Sequence, residues 1–270
     1  MTRYAVLGHP VAHSKSPGIH RQFAEQTGQE LGYEAIDVAP EAFAAFVRDF
    51  FASGGGGLNI TLPHKEEAFA LAETLAPRAR LARAVNTMML DSGGRLHGDN
   101  TDGVGLVRDI ENNLQREIAG SAVLILGAGG AARGALPALL DRRPGSVTLL
   151  NRTLARAQAI QDDFADVAPL QVADFDSFSA SPFDLIINAT SMGLSGQMPP
   201  LPAAVIGADT FCYDMAYGAT DTAFVTWARS HGAAGAADGL GMLVEQAAES
   251  FYLWRGVRPE TAAVLASLRD

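Results

Sequence analysis

The run Val123 to Arg133, V-L-I-L-G-A-G-G-A-A-R, joins an apolar stretch to a glycine-rich turn and then to small residues able to open a helix. Such a layout lets backbone N–H groups approach a pyrophosphate, and the helix N-terminus adds partial positive charge. Gly127, Ala128, Gly129, Gly130 and Ala131 form the turn, and 25 positions beyond Gly127 stands Arg152, within Asn151-Arg152-Thr153. A carboxylate in that place would take the ribose hydroxyls of NAD, whereas a guanidinium, with Arg156 close by, suits the 2′-phosphate of NADP. The pattern G-A-G-G-A-A is not a strict G-x-G-x-x-G, and glycine turns after apolar runs are common in α/β proteins. The NADP reading rests on strand, helix and basic cluster falling within one βαβ unit.

A second set of residues suits acid–base and polyol chemistry. In Leu58-Asn59-Ile60-Thr61-Leu62, alternation predicts that Asn59 and Thr61 share one strand face and the three aliphatic residues the other. Pro63 then stops regular pairing, and Lys65 opens a helix, a place already carrying partial positive charge and therefore unusual for a cation. Taken locally, a solvated surface lysine in Lys-Glu-Glu is the simpler account of Lys65. In His13-Ser14-Lys15-Ser16-Pro17, Ser16 reads as an N-cap with Pro17 at the first helical position, while Ser14 has no such structural explanation. Two hydroxyls at a helix N-terminus also suit a carboxylate. In Asn100-Thr101-Asp102-Gly103, Asp102 reads as a cap for a helix from Val104 to Asn113, and Asn86 as a residue at a strand start.

The elements that must hold these residues alternate between strand and helix. Arg3–Leu7, Tyr33–Val38, Gly57–Thr61 and Val85–Leu90 read as strands. Pro17–Thr27, Glu41–Ala52 and Lys65–Leu75 read as helices, with Phe43, Phe46, Val47, Phe50 and Phe51 at helical spacing. A second series has strands from Val123, at Val147–Leu150, Leu185–Asn188 and Thr210–Asp214. Its first helix, Ala131 to Leu140, contains Pro137, which should bend it. A helix from Leu240 to Trp254, with a stripe of Leu240, Leu243, Val244, Ala247, Phe251 and Trp254, is expected to pack back on the first domain. The fold class is α/β: an N-terminal substrate domain with a mostly parallel mixed sheet (1–102 and 239–270) and a Rossmann-type domain (103–238). Gly98–Gly105 and the Gly239/Gly241 cluster are the expected crossings.

Composition sets the outer limits. The net charge of −10 argues against a nucleic-acid partner, which needs a clustered positive field. The single cysteine, Cys212, permits no internal disulfide, reads as a small buried residue and favours a reducing, cytoplasmic setting. No signal-peptide pattern precedes the strand-like Tyr4-Ala-Val-Leu-Gly, and no apolar run is long enough to span a bilayer. The six histidines, His9, His13, His20, His64, His97 and His231, show no metal-ligand spacing and read as turn and surface residues, so no metal is expected.

Nine motifs, in order, resemble the shikimate dehydrogenase family across nearly the whole chain. They are G-H-P-V-A-H-S-K-S-P from Gly8, L-N-I-T-L-P-H-K from Leu58, A-V-N-T from Ala84, G-D-N-T-D-G from Gly98, the glycine loop, N-R-T from Asn151, N-A-T-S-M-G from Asn188, Y-D-M-A-Y from Tyr213 and D-G-L-G-M-L-V-E-Q-A from Asp238. The resemblance implies NADPH-dependent reduction of 3-dehydroshikimate to shikimate on the route to chorismate and the aromatic amino acids. It implies that Ser14 and Ser16 hold the substrate carboxylate. Asn59, Thr61, Asn86, Asp102 and Gln246 match positions that bind ring hydroxyls, with Tyr217 as an additional contact. Lys65 matches the catalytic lysine and Asp102 its carboxylate partner. On the cofactor side it implies Gly127, Gly129, Gly130 and Ala131 at the pyrophosphate and Asn151, Arg152, Thr153 and Arg156 at the adenosine phosphate. Thr190, Met215, Gly239 and Met242 would flank the nicotinamide.

Within that reading a cationic Lys65 stabilises the developing oxyanion and donates the proton, with Asp102 or a water as alternative donors. The partner is a small-molecule substrate, with no nucleic acid and no membrane, and the assembly is a monomer or a homodimer. Two alternatives remain. One is an NAD-linked quinate/shikimate dehydrogenase, against which the paired serines and Arg152 argue. The other is a non-catalytic NADP sensor, which would not need Lys65, Asp102 and a polyol-binding set.

Overall fold

A computed structural model describes residues 1–192 and 196–269, so Gly193, which ends the motif from Asn188, lies outside the described residues. The chain divides into two compact units, one of residues 1–105 and 243–270, the other of 106–242.

In the first unit the strands are β1 (Thr2–Gly8), β2 (Leu31–Asp37), β3 (Gly57–Ile60), β4 (Thr74–Leu75), β5 (Thr87–Leu90) and β6 (Leu96–Asp99). They form one sheet in the order β2-β1-β3-β5-β6-β4. β1 runs parallel to β2 and β3, while β5 is antiparallel to both β3 and β6, so the sheet is mixed. The helices are α1 (Ser16–Thr27), α2 (Phe43–Ala52), α3 (Lys65–Leu71), α4 (Pro77–Ala82) and, from the distal part of the chain, α10 (Ala262–Arg269). The aromatic stripe of α2 is the reason that helix docks. Phe43, Val47, Phe50 and Phe51 are buried against Leu7, Leu58 and Ile60 of the sheet, with Phe46 at the margin.

Several boundaries differ from the sequence expectation. α3 ends at Leu71 instead of Leu75, because Thr74–Leu75 leaves the helix to pair in parallel with His97 and Gly98 as an edge strand. Leu62 lies past the end of β3 and is 60% exposed, so it does not share the buried face of Leu58 and Ile60. α1 begins at Ser16 itself, with Lys15 in the cap position. The N-cap assigned to Ser16 is therefore corrected: the Ser14 hydroxyl accepts from the Ser16 N–H at 3.3 Å, a local turn bond that explains Ser14 structurally and leaves the Ser16 hydroxyl outside the cap. The histidines are corrected too. His20 and His64 are fully buried, because each ring stacks on an aromatic neighbour, His20 on Tyr33 and His64 on Phe43.

The second unit carries β7 (Ala122–Leu126), β8 (Ser146–Leu150), β9 (Gln171–Ala173), β10 (Phe183–Asn188), β11 (Ile206–Asp214) and β12 (Gly235–Ala237). Its helices are α6 (Gly130–Asp141), α7 (Leu154–Asp163) and α8 (Ala223–Ser230). All neighbouring strands are parallel, in the order β12-β11-β10-β7-β8-β9. That is the doubly wound order in which the chain reverses direction between β7 and β10, and the crevice beyond the carboxyl ends of those two strands is where such sheets take dinucleotides. The apolar runs that form β7 and β10 bury Leu124, Leu126 and Ile186 with Cys212, Phe224 and Ala228. Pro137 sits inside α6, buried. Two helices carry the chain between units: α5 (Asp102–Arg108), continued by a π-helical stretch Asp109–Asn113, and α9 (Leu240–Arg255). From Leu243 onward α9 belongs to the first unit, where Phe251 packs edge-on against Phe23 and the Trp254 indole donates to the Met88 carbonyl at 3.3 Å.

Candidate active site

In the first unit the turn after β3 delivers Lys65 to the start of α3, and that start is pinned by the Val85 N–H donating to the Lys65 carbonyl at 2.9 Å. The Lys65 Nζ donates to Asp102 Oδ2 at 2.5 Å. The lysine side chain is 24% exposed and the aspartate 10%, so the pair is neither a solvated surface contact nor sealed from a ligand. This overturns the local expectation of a surface lysine. Asp102 is also not the cap of its helix. Its N–H donates to Asn100 Oδ1 at 3.1 Å, so Asn100 takes the capping role and frees the carboxylate for Lys65.

The second carboxylate oxygen is held as well: Asn86 Nδ2 donates to Asp102 Oδ1 at 2.8 Å. Asn86 in turn is oriented by the Thr101 N–H, which donates to its Oδ1 at 2.8 Å, and by the Thr87 hydroxyl at 2.9 Å. Gln246, on α9, faces Asn86 at 3.5 Å and donates its own amide to the Leu243 carbonyl at 2.8 Å. Asn59 sits deeper, with Nδ2 donating to Ser250 Oγ at 3.0 Å and Thr87 Oγ1 at 3.2 Å, and Oδ1 accepting from the Tyr33 phenol at 2.7 Å. Burial pushes the Tyr33 phenol well above its ordinary pKa, with the neighbouring Ser16 hydroxyl pulling it back in part. Thr61 is half-buried, its N–H donating to the Leu7 carbonyl at 2.9 Å.

The structure thus brings Ser16, Asn59, Asn86, Asp102, Lys65 and Gln246 into one polar field. Tyr33, Thr87, Thr101 and Ser250 belong to it and escaped the sequence reading. Thr87 and Thr101 lie inside the motifs A-V-N-T and G-D-N-T-D-G, and Ser250 stands one helical turn after Gln246 on α9. A field of fixed hydroxyls and amides around an ammonium–carboxylate pair can bind a polyhydroxylated ring and move a proton at an oxygen on it.

In the second unit, Gly127 ends β7 with φ +101°, a conformation L side chains rarely adopt, and its N–H donates to the Leu150 carbonyl at 2.8 Å. Ala128 is half-buried, and Gly129 and Gly130 are exposed before Ala131 in the first turn of α6. A Cβ built on Gly129 or Gly130 meets no protein atom within 4 Å, and neither residue has positive φ. Packing within the chain therefore does not call for glycine at either place, whereas close approach of a pyrophosphate to the backbone does. At the end of β8, Asn151 Nδ2 donates to the Thr153 carbonyl at 2.8 Å, bracing the turn that exposes Arg152 and Arg156. Among the described residues neither arginine is engaged in an ion pair, so the chain offers an anion site with no internal anion. These residues fit NADP.

Thr190 and Met215 follow β10 and β11. The Asn188 side-chain oxygen accepts from the Thr190 hydroxyl at 2.8 Å, and the Asn188 carbonyl from the Met215 N–H at 3.0 Å. Gly239 donates to the Ala216 carbonyl at 3.0 Å, and Met242 is buried one helical turn on. Tyr217 also belongs to this unit, half-buried, its phenol pushed up by burial and then by the charge of Asp238. No group of His, Cys, Asp and Glu among the described residues could hold a metal ion, and no described helix is long and apolar enough to cross a membrane.

A doubly wound nucleotide sheet and an oriented acid–base pair define a two-unit α/β oxidoreductase. Three family models match in sequence along the chain: the shikimate dehydrogenase substrate-binding domain over residues 6–88, shikimate/quinate 5-dehydrogenase over 109–194, and the shikimate 5′-dehydrogenase C-terminal domain over 239–269. The NADP(+) shikimate dehydrogenase of Alkalilimnicola ehrlichii is 58% identical over 99% of this chain and 98% of its own. Among solved structures, an Ael1 enzyme from Pseudomonas putida superposes with a TM-score of 0.95 at 45% identity, covering 100% of this chain and 99% of that one. The shikimate 5-dehydrogenase of Thermus thermophilus, in complex with NADP(H) and shikimate, gives 0.89 at 35% identity, with coverage of 100% and 99%. The chain belongs to the shikimate dehydrogenase family.

Proposed function

We propose that this protein catalyses the reversible, NADPH-dependent reduction of 3-dehydroshikimate to shikimate, on the route to chorismate and the aromatic amino acids. The unit of residues 1–105 and 243–270 is the substrate-binding and catalytic one, and the unit of 106–242 binds NADP. The observation that carries the reading is the 2.5 Å pair of Lys65 and Asp102 set among the amides of Asn86, Asn59 and Gln246.

NADPH, when bound, supplies the hydride. As the carbonyl carbon is reduced, negative charge gathers on its oxygen, and the ammonium of Lys65 stabilises that charge and donates the proton. Asp102, held by Asn86 on its other oxygen, orients Lys65 and keeps a proton acceptor beside it for the reverse direction. Ser14 and Ser16 hold the substrate carboxylate. Asn59, Thr61, Asn86, Asp102 and Gln246 hold the ring hydroxyls, and Tyr217 adds a further contact. The loop Gly127 to Ala131 takes the pyrophosphate on backbone N–H groups, with Asn151, Arg152, Thr153 and Arg156 at the adenosine 2′-phosphate. Thr190, Met215, Gly239 and Met242 border the nicotinamide. Every residue named comes from one chain, so a monomer or a homodimer can carry out the reaction. The lone thiol suits a reducing compartment, and we place the protein in the cytoplasm.

Initial rates with shikimate and with quinate, each against NADP+ and NAD+, test the proposal. Turnover of shikimate with NADP+ well above the other three combinations is expected. A preference for quinate or for NAD+ would move the protein to the quinate-linked type, and absence of turnover in all four would refute the assignment.

A further inference from the structure

Two buried ionisable residues of the nucleotide unit have no part in the chemistry above. Tyr213 lies on β11 next to Asp214, so its side chain leaves the opposite face of the sheet, and it is fully buried. Its hydroxyl donates to Asp109 Oδ2 at 2.6 Å. Asp109, equally buried where α5 passes into its π-helical stretch, accepts from the Asn113 amide on Oδ1 at 2.9 Å.

Against this pair lies the first turn of α9. The Met242 backbone amide, close to the Tyr213 phenol, draws its pKa down in part. A Cβ at Gly241 would fall 1.9 Å from Asp109 Oδ1 and 2.3 Å from Oδ2, so the helix backbone rests directly on the carboxylate and any larger residue would have to displace it. Gly239 is pressed on its other side, where a Cβ would lie 2.3 Å from the Met215 carbonyl oxygen. The turn Gly239–Met242 is thus held between Met215 and the Tyr213–Asp109 pair. A carboxylate is favoured at that place by the N-terminal dipole of a long helix. Burial and the neighbouring Asp109 charge hold the Tyr213 hydroxyl well above its ordinary pKa, so it remains a proton donor to the carboxylate at working pH.

We propose that Tyr213 and Asp109 are a positioning pair that fixes the Gly239–Met242 turn and, through it, the angle at which the nicotinamide of NADPH is held. The inference rests on the assignment of Gly239, Met215 and Met242 to the nicotinamide. If the pair served packing alone, phenylalanine would serve as well as tyrosine at 213. Positioning makes a different demand, because small displacements of a reacting carbon lower rates by about a hundredfold.

Tyr213→Phe tests this with the full protein. We expect kcat to fall by at least about tenfold, and the primary deuterium isotope effect on kcat with 4-deuterated NADPH to rise as hydride transfer becomes limiting. The Kd for 2′,5′-ADP, which has no nicotinamide, should stay within about twofold, and the fluorescence lifetime of bound NADPH should shorten as the ring gains freedom. Asp109→Asn should give the same pattern, with non-additive losses when the two changes are combined. Either folded variant with unchanged kcat and isotope effect overturns the proposal. So does equal loss of 2′,5′-ADP and NADPH affinity, which would mean general collapse of the unit, or additive losses in the double variant. The lifetime is read on the binary complex without substrate. It therefore tests the pair even if the wild-type protein failed to turn over 3-dehydroshikimate.

Discussion

His20 makes the substrate-binding unit sensitive to acid in a way that can be measured apart from catalysis. The ring is fully buried, stacked on Tyr33 with centroids 4.1 Å apart at 8°, and neither nitrogen has a hydrogen-bond partner. Burial disfavours the imidazolium and lowers the pKa to about 3 from the ordinary 6.5, against a smaller upward pull from Asn59. The unfolded chain takes up a proton as pH falls through 6.5, while the folded chain stays neutral until about 3. Stability is therefore full above 6.5 and lost as pH falls, at roughly 1.4 kcal/mol per pH unit. From pH 6.5 to pH 5 the loss is about 2 kcal/mol, or roughly 1 M in urea midpoint. Trp254 lies 5.5 Å from the His20 ring and belongs to the same unit, so its emission in a Trp227→Phe background follows that unit's unfolding. His20→Phe keeps an aromatic ring against Tyr33 and removes the titration. Its midpoint should lack this part of the pH dependence, while carboxylates common to both proteins cancel in the difference. Parallel pH profiles for the two proteins between pH 5 and 7 would refute the reasoning.

Three further outcomes are expected. Lys65→Ala should lower kcat by roughly 10² to 10⁴ while changing shikimate affinity far less, and near-normal turnover in steady-state kinetics would remove Lys65 from the proton path. Arg152→Ala should weaken NADPH by about tenfold and leave NADH almost unchanged, the modest factor reflecting an exposed guanidinium; comparison of KM for the two cofactors decides, and an equal loss for both counts against a 2′-phosphate contact. Burial pushes the Cys212 thiol up to about 12, so at pH 8 only roughly one molecule in ten thousand carries the thiolate, and a chromogenic disulfide should modify it after unfolding only. Rapid modification of the native protein would contradict that environment.

What could be read from residues alone was mostly local. The glycine turn needs positive φ at Gly127, the phenylalanine stripe of α2 needs one buried face, and both demands are written within a dozen positions. Pro17 in the first turn of α1 is of the same kind. The edge strand Thr74–Leu75 was hidden because two residues carry no periodicity, and helical spacing ran on through them. His20 and His64 looked like surface residues because an imidazole gives no apolar signal, although its face stacks as one. The orienting network was the least visible. Asn59 meets Tyr33 26 positions away and Ser250 191 positions away, and nothing in the intervening chain announces such partners. Lys65 illustrates the limit most clearly: its neighbours in sequence suggested solvent, the resemblance of the motifs named Asp102 as its partner, and the fold brings the two together.

The order in which the chain leaves the ribosome bears on the first unit, whose sheet and early helices are made within residues 1–105 but whose α9 residues follow only after 242. While the nucleotide unit is being synthesised, Asn59 is without Ser250, Asn86 without Gln246 and the Met88 carbonyl without the Trp254 indole. The nascent amino-terminal sheet must wait, with the face that α9 will cover still uncovered, until translation has passed an entire second folding unit.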